Sequence, residues 1–336
     1  MVEATVQCGV SSNLAQTRPA SSPSDAFEAP AARLVRLEDG MLETRTCVAM
    51  SPRFGFVRES VRLGRSRLKR VGCVVHESGE FTFPDREFVS VDFPAVNLAL
   101  PYEHNYFHWM FEALGGLLIA REFLPRGGRV VVRLGLEPFE AETLAAIGIA
   151  PDSVFVLPPD RVVHFPELYV LPRPFRRSAP APIVANALRG LAHVQADSAG
   201  PKRLYVTRSR ASCRRIVNHD EVLVTLERHG FSEVSAEGLS VSEQIALFAQ
   251  AEAVIGVHGA GLANAVFCAP ETLLIELQPE RRERIHLLYW NVAAIAGLRY
   301  IRIICKALTR QLHSDLEVDC SHLDAVLRRR LPVLGG

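Results

Sequence analysis

Three short stretches of the chain carry side chains whose types and spacing suit chemistry better than packing. Val257-His258-Gly259-Ala260-Gly261-Leu262-Ala263-Asn264 follows the apolar run Ala253-Val254-Ile255-Gly256. This places a histidine and two glycines where a strand ends and a helix opens. Ligands of open α/β sheets bind beyond the carboxyl ends of strands. Glycines there allow φ > 0 and leave the backbone unshielded. Helix-opening N–H groups and the positive end of the helix dipole attract anions, phosphate above all. His258, Gly259, Ala260 and Gly261 are therefore candidate phosphate-binding residues, with His258 able to add a hydrogen bond or a proton. A tight turn that needs glycine only for packing stays open as the plainer reading.

The second stretch, Arg208-Ser209-Arg210-Ala211-Ser212-Cys213-Arg214-Arg215, follows the strand-like Arg203-Leu204-Tyr205-Val206-Thr207. Guanidinium groups donate paired hydrogen bonds to phosphate oxygens. Arg208 and Arg215 are read as a metal-free pyrophosphate clamp, while Arg210 and Arg214 are read as part of a solvated basic loop. Glu276, at the end of Leu273-Leu274-Ile275, is a candidate acceptor for ribose hydroxyls, or else a solvated strand terminus.

The third stretch is Asn105-Tyr106-Phe107-His108-Trp109-Met110-Phe111-Glu112. His108 and Glu112 are four residues apart and share a helix face. Set among aromatics, they form a candidate catalytic pair, with either one as general base. A buried pair that merely fixes the helix is the alternative. Asn105 can cap the helix, and Asn105 and Trp109 are candidate acceptor-side residues. His104, His108 and Glu112 would be too elongated along one helix to chelate an ion, so no metal is expected.

The surrounding elements must position these groups. The first half shows strand-like runs at Arg70–Val75, Ala95–Leu100, Arg129–Leu134 and Ser153–Val156. They alternate with helical patterns at His108–Ala120 and Ala141–Ile147, which indicates a parallel sheet covered by helices. Four prolines between Leu171 and Pro182 break the pattern and mark a domain boundary, and a helix follows from Ile183 to Gln195. The second half alternates more cleanly. Its strands are Arg203–Thr207, Phe231–Val234, Ala253–Val257, Thr272–Leu277 and Tyr300–Ile304. Its helices are Asp220–His229, Ile245–Ala251 behind the capping box Ser240/Glu243, a short one from Leu262, and Ile285–Ala296. The expected division is a disordered Ser/Pro/Ala-rich leader over 1–30, domains over 31–180 and 181–310, and a C-terminal helix over 311–336 that packs back onto the first domain.

Lys and Arg number 38 against 37 Asp and Glu, so no global field draws the protein to nucleic acid or membrane. The seven scattered cysteines have no C-x-x-C spacing and suggest neither a disulfide framework nor a zinc site. No signal peptide or spanning segment is read, and the expected location is the cytosol. Asn264 stands where a dinucleotide fingerprint needs its third glycine. The absence of G-x-S-x-G removes an esterase.

Together, Asn105-x-x-His108 with an acid four residues on, Tyr205-Val206-Thr207-Arg208, Arg215-Ile216-Val217-Asn218, Val257–Leu262 and Ile275-Glu276 resemble glycosyltransferase family 61 over about Leu98 to Gln278. That family includes bacterial capsular-polysaccharide enzymes and eukaryotic β-xylosyl- and O-GlcNAc-transferases. The resemblance implies a GT-B fold, with two Rossmann-like domains facing a central cleft, and an inverting, metal-independent reaction with no cofactor. It implies a nucleotide-sugar donor, UDP-linked in expectation, and a glycan or lipid-linked acceptor in bacterial surface polysaccharide synthesis. Peripheral membrane association through the acceptor stays open. The family position held here by Glu112 is Asp in many members, which moves the carboxylate outward by one methylene. A GT-B-like epimerase and a non-catalytic binding protein are the competing classes.

Overall fold

The computed structural model describes residues 3–6, 32–52, 55–57, 60, 68–69, 73–75, 81–83, 85–102, 104–173, 175–176, 179–192, 200–280, 287–311 and 313–331. Residues 7–30 of the expected leader, the first half of the Arg70–Val75 run and the end of the helix drawn to Gln195 lie outside them. So does the start of the helix drawn from Ile285. Residues Glu3–Val6, inside the expected leader, form a strand paired antiparallel with 32–35. The described residues fall into two compact units. The first holds those up to 175 together with 186–188, and the second holds 176–185 and those from 189 onward.

In the first unit the principal strands are β1 (Ala32–Glu43), β2 (Ala95–Asn97), β3 (Arg129–Val132), β4 (Val154–Val156) and β5 (Arg161–Val170). They lie in the order β4-β3-β2-β5-β1, continued by Val48–Ser51 and Gly55–Phe56. Pairing is parallel from β4 through β5 and antiparallel from β5 to β1 and on to Val48–Ser51. The sheet is therefore mixed, not the wholly parallel Rossmann-like sheet expected of this half. The reason is local. A tight turn, with Cys47 at φ 58°, joins β1 to its neighbour, and a connection that short can only make an antiparallel pair. β5 has no counterpart in the sequence reading because Pro166 interrupts it, and proline argues against a central strand. Pro166 is accommodated opposite Asp39, which takes φ 53°, between the pairs Phe165–Gly40 and Glu167–Glu38.

Helix α1 runs over 106–120, with a π-helical stretch at Trp109–Leu114 between Tyr106–His108 and Gly115–Ala120. Asn105 caps it as expected, its side-chain oxygen accepting from the His108 N–H at 3.3 Å. The π-helical geometry shows where the Gly115 N–H reaches back five residues to the Met110 carbonyl. Such a widened turn is common at functional sites. Every residue of Trp109–Leu114 is buried. Helix α2 (Pro138–Ala146) is joined to it by Trp109 Nε1–H, which donates to Thr143 Oγ1 at 2.9 Å.

The second unit matches the expected alternation closely. Helix α3 (Pro182–Arg189) precedes β6 (Arg203–Val206), and α4 (His219–Glu227), β7 (Ser232–Val234), α5 (Val241–Ala249) and β8 (Ala253–Val257) follow. A 3₁₀ stretch (Ala260–Phe267), β9 (Leu273–Pro279), α6 (Leu288–Ala296), β10 (Arg299–Ala307) and α7 (Cys320–Arg330) complete it. The parallel order is β7-β6-β8-β9-β10. β8 and β9 are buried at every position, as befits strands covered on both faces. The sheet reverses its build direction between β6 and β8, and a doubly wound sheet binds its ligand at such a point. Helix α7 was expected to return to the first domain. Instead its Leu323 and Leu327 are buried in the core of the second unit with Val222 and Leu226 of α4, which gives its short apolar stripe a neighbouring helix to cover it. Among the described residues no helix is long and apolar enough to cross a membrane.

Candidate active site

The two strands that flank the reversal deliver the first two stretches. β6 ends at Val206 and leads to Arg208, and β8 ends at Val257 and leads to His258. Gly259 is extended at φ 175°, so the expected demand for positive φ does not apply there. Its demand is for closeness. A Cβ at Gly259 would lie 2.1 Å from Arg208 Nη1 and 2.9 Å from Cζ, so the guanidinium occupies the place of a side chain. Gly261 is similarly close to β6, where a Cβ would meet Val206 Cγ1 at 3.1 Å. The helix that opens here is 3₁₀ and starts at Ala260, earlier than Leu262, with the Leu262 N–H donating to the Gly259 carbonyl at 3.1 Å.

The arginines divide differently from the sequence reading. Arg208 donates to the Cys213 carbonyl at 3.2 Å. Arg214, read as solvated, donates to the His258 carbonyl at 2.6 Å and contacts His313 Nδ1 at 3.2 Å. It holds φ 57°, a strained angle for a long side chain. Nε of Arg208 and Nε of Arg214 are both buried without a hydrogen-bond partner. Arg210 is exposed. Arg215, expected in the clamp, is exposed and forks onto Asp315 at 3.0 and 3.3 Å. Asp315 is held below the usual carboxylate range first by the Arg215 backbone N–H and then by its side chain. A guanidinium committed to that carboxylate has less to offer a phosphate.

Glu276 is fully buried, 0% exposed. His258 Nδ1 bonds one of its oxygens and the Tyr300 hydroxyl donates to the other. A ribose contact, expected from its place at a strand end, does not fit this burial; the carboxylate instead holds His258. Tyr289 of α6 donates to the Gly259 carbonyl and is itself buried. Burial, reinforced by nearby Glu276, pushes the phenols of Tyr289 and Tyr300 well above their usual value, so both are neutral donors. Tyr289 and Tyr300 carry no signal in the sequence because an aromatic in a helix or strand looks like core; the register across β9 and β10 brings Tyr300 to Glu276.

In the first unit, His108 Nδ1 lies 2.7 Å from Glu112 Oε1, as the four-residue spacing anticipated. The side chain of Glu112 is 3% exposed and that of His108 31%. Arg173 Nε lies 3.2 Å from the other Glu112 oxygen. It belongs to the proline-rich segment, which the sequence offers only as a boundary. The Tyr102 ring stacks on His108 at 4.9 Å. A carboxylate accepts only, so His108 must donate through Nδ1, which makes Nε2 the proton-accepting nitrogen of the neutral ring. Trp109 is buried with its N–H given to Thr143, and it lines a small cavity with Asn105, Tyr102 and His104. Asn105 is exposed at the helix start. His104 Nδ1 lies 3.7 Å from a carboxylate oxygen of Glu137 and of Glu140. Among the described residues no three His, Cys, Asp or Glu side chains converge.

These residues lie within or beside a stretch shared with known proteins. The profile of the family described as Glycosyltransferase 61 matches residues 106–275, just over half of the chain. Alpha-1,3-arabinosyltransferase XAT3 of Oryza sativa subsp. japonica is 33% identical over 133 residues, covering 35% of this chain and 22% of that protein. Beta-1,2-xylosyltransferase XAX1 of the same plant is 35% identical over 80 residues, covering 24% and 14%. The EGF domain-specific O-linked N-acetylglucosamine transferase of Drosophila melanogaster is 31% identical over 99 residues, covering 29% and 18%. The match thus spans a minor part of each relative's length. Among solved structures, the iron-containing dodecameric glycosyltransferase TibC of enterotoxigenic E. coli H10407 aligns over 82% of this chain and 87% of its own. Its identity is 11% and its TM-score 0.32, a likeness too remote to carry structural inference. The family match, covering the His108–Glu112 pair, Arg208 and the His258 turn, shows that the chain belongs to glycosyltransferase family 61, a family of sugar-transferring enzymes.

Proposed function

We propose that the protein moves a sugar from a nucleotide-sugar donor, UDP-linked in the first instance, to a hydroxyl group of a glycan or lipid-linked acceptor. In this reading it works as an inverting, metal-independent enzyme of GT-B type in the cytoplasm, in the synthesis of surface polysaccharide. The observation that carries the reading is the packing of Arg208 and Arg214 around the His258-Gly259 turn at the reversal point of the second unit's sheet. Two guanidinium groups with unmatched buried Nε donors at a strand end are suited to an anion. The activities for which the relatives are named, arabinosyl, xylosyl and N-acetylglucosaminyl transfer, support the reaction class.

The chemistry assigns each unit one task. In the first, His108 Nε2 takes the proton of the acceptor hydroxyl while Glu112 holds Nδ1–H and Arg173 holds Glu112. The acceptor oxygen forms its bond to the anomeric carbon from the face opposite the donor phosphate. The bond from that carbon to the phosphate oxygen breaks, and its electron pair leaves with the nucleoside diphosphate. In the second unit, Arg208, Arg214 and His258 face the charge that develops there. His108 is the base in this scheme and Glu112 its support, because the histidine is the accessible member of the pair. The donor clamp is Arg208 with Arg214, and Arg215 is outside it.

The test is a transfer assay with UDP-, GDP-, ADP- and CMP-linked sugars against an array of glycan acceptors, run on the wild type and on His108→Ala. The reading expects an acceptor-dependent product with one donor, lost in the variant. Conversion of a donor with no acceptor present would instead make the protein an epimerase, and no turnover of any donor would make it a binding protein.

A further inference from the structure

The Glu276 carboxylate lies fully inside the protein and, among the described residues, is hydrogen-bonded by His258 and Tyr300, which is a costly way to complete a turn. A glutamine could fill the same space without burying charge. What a carboxylate adds is direction, because both of its oxygens accept and neither donates. Tyr300 must therefore give its hydroxyl proton to Glu276, and His258 must give Nδ1–H. The strands make the contact possible. Glu276 is registered with Gly256 of β8 on one side, two residues before His258, and with Arg302 of β10 on the other. Tyr300 is registered with Leu274, which shares a face with Glu276, so its ring meets Glu276 diagonally. The His258 backbone is held separately, its N–H donating to the Leu277 carbonyl at 3.0 Å and its carbonyl accepting from Arg214. With the backbone fixed, the Glu276 bond to Nδ1 orients the ring, which also meets the Tyr289 ring edge-on at 5.3 Å.

We propose that Tyr300 and Glu276 are positioning residues for donor binding, a chain from phenol to carboxylate to imidazole that fixes His258 with its proton on Nδ1 and presents Nε2 to the diphosphate of the donor. This rests on the donor-site reading above. Among the described residues, the charged and titratable groups around these three side chains include Arg208 and Arg214 at the turn, Tyr289 of α6 and Arg302 of β10. None of them bonds the second oxygen of Glu276 as Tyr300 does.

The experiment uses the full chain, labelled with ¹⁵N-histidine, as wild type, Tyr300→Phe and Glu276→Gln. Long-range proton–nitrogen correlations read the tautomer of His258 without any ligand. Calorimetric titration then compares UDP, GDP, ADP and CDP with uridine, guanosine, adenosine and cytidine. The wild type is expected to show one tautomer, protonated at Nδ1, and Tyr300→Phe a mixture. Diphosphate affinity is expected to fall about threefold to tenfold in Tyr300→Phe and at least about tenfold in Glu276→Gln, with affinity for the matching nucleoside unchanged. An unaltered tautomer in both variants overturns the chain, and so does an equal loss for nucleoside and diphosphate, which is the mark of a merely structural role. If Glu276→Gln fails to fold, the smaller Tyr300→Phe change decides alone. A wild type that binds none of the eight compounds overturns the donor reading and the donor role together. That failure is told apart from failure of the chain by the tautomer result.

Discussion

At His108 and at His258 the same small arrangement recurs. A histidine bonds through Nδ1 to a buried glutamate whose second oxygen is held by a third side chain, Arg173 in one unit and Tyr300 in the other. In the first unit, loss of a general base costs about 10²- to 10⁴-fold in rate, so His108→Ala is expected to lower kcat by that much while nucleotide affinity stays unchanged. Steady-state kinetics beside a binding titration checks both halves of that statement. The arginines provide a sharper contrast. Arg214→Ala is expected to weaken nucleoside diphosphate binding at least about tenfold, as removal of a charge-assisted donor does, and Arg215→Ala to leave it within about twofold. Equal losses in the two variants would return Arg215 to the clamp. At this scale the sequence makes legible the His108–Glu112 contact, by its four-residue spacing, and the place of Arg208 and His258 just beyond strand ends. The contacts of Arg214, Arg173, Tyr289 and Tyr300 are not legible there. Each looks ordinary in its own segment and acquires a role only through a contact made across the fold.

At the scale of elements, helix α1 is held to the segment that carries Arg173 by a close approach at Gly116. A Cβ there would stand 2.8 Å from the Pro172 carbonyl oxygen and 3.3 Å from Leu171 Cβ. Neither neighbour is the free end of a flexible side chain, so Gly116→Ala must separate the helix from the segment that follows β5. The expected cost is about 1–3 kcal/mol, read as a lower Tm, with a loss of transfer as Arg173 is drawn from Glu112. An unchanged Tm would show that the approach is looser than described. In the second unit, Arg189 of α3 donates to the carbonyls of Val266, Cys268 and Ala296 at 2.7–3.0 Å, closing the 3₁₀ stretch and α6 with one side chain. The strands of this unit were readable one by one because a sheet covered on both faces needs continuous apolar runs, as in Ala253–Val257. β5 and β1 were not, since Pro166 masks one and their pairing joins residues more than a hundred positions apart.

For the molecule as a whole, each unit keeps its own apolar core, one around Val163, Phe165 and Leu168 and the other around Ile255, Ile275 and Leu323. Carboxylates tied to cations or hydrogen-bond donors contribute to the loss of stability in acid. Asp315 is depressed by Arg215, Asp324 first by its hydrogen bond to His229, and Glu167 first by its hydrogen bond to Arg36. The folded values lie below the unfolded ones, so the unfolded chain binds more protons as the medium becomes acid. Their contribution is therefore complete above the ordinary carboxylate range, near pH 4, and is lost as pH falls through the depressed values. Glu140, raised chiefly by burial, acts in the opposite sense, its contribution fading as pH rises through its own value. Thermal melts between neutral and acid pH should show Tm falling on the acid side, and falling less steeply in Asp315→Asn. The central claim is that the His258 turn and its arginines hold the diphosphate of a nucleotide-sugar donor. Calorimetric titration of UDP, GDP, ADP and CDP into the wild type and into Arg208→Ala tests it most directly. One of the four nucleotides is expected to bind the wild type, and Arg208→Ala is expected to lose that binding. Binding indifferent to Arg208, or no binding at all, would contradict it and leave the turn a piece of packing.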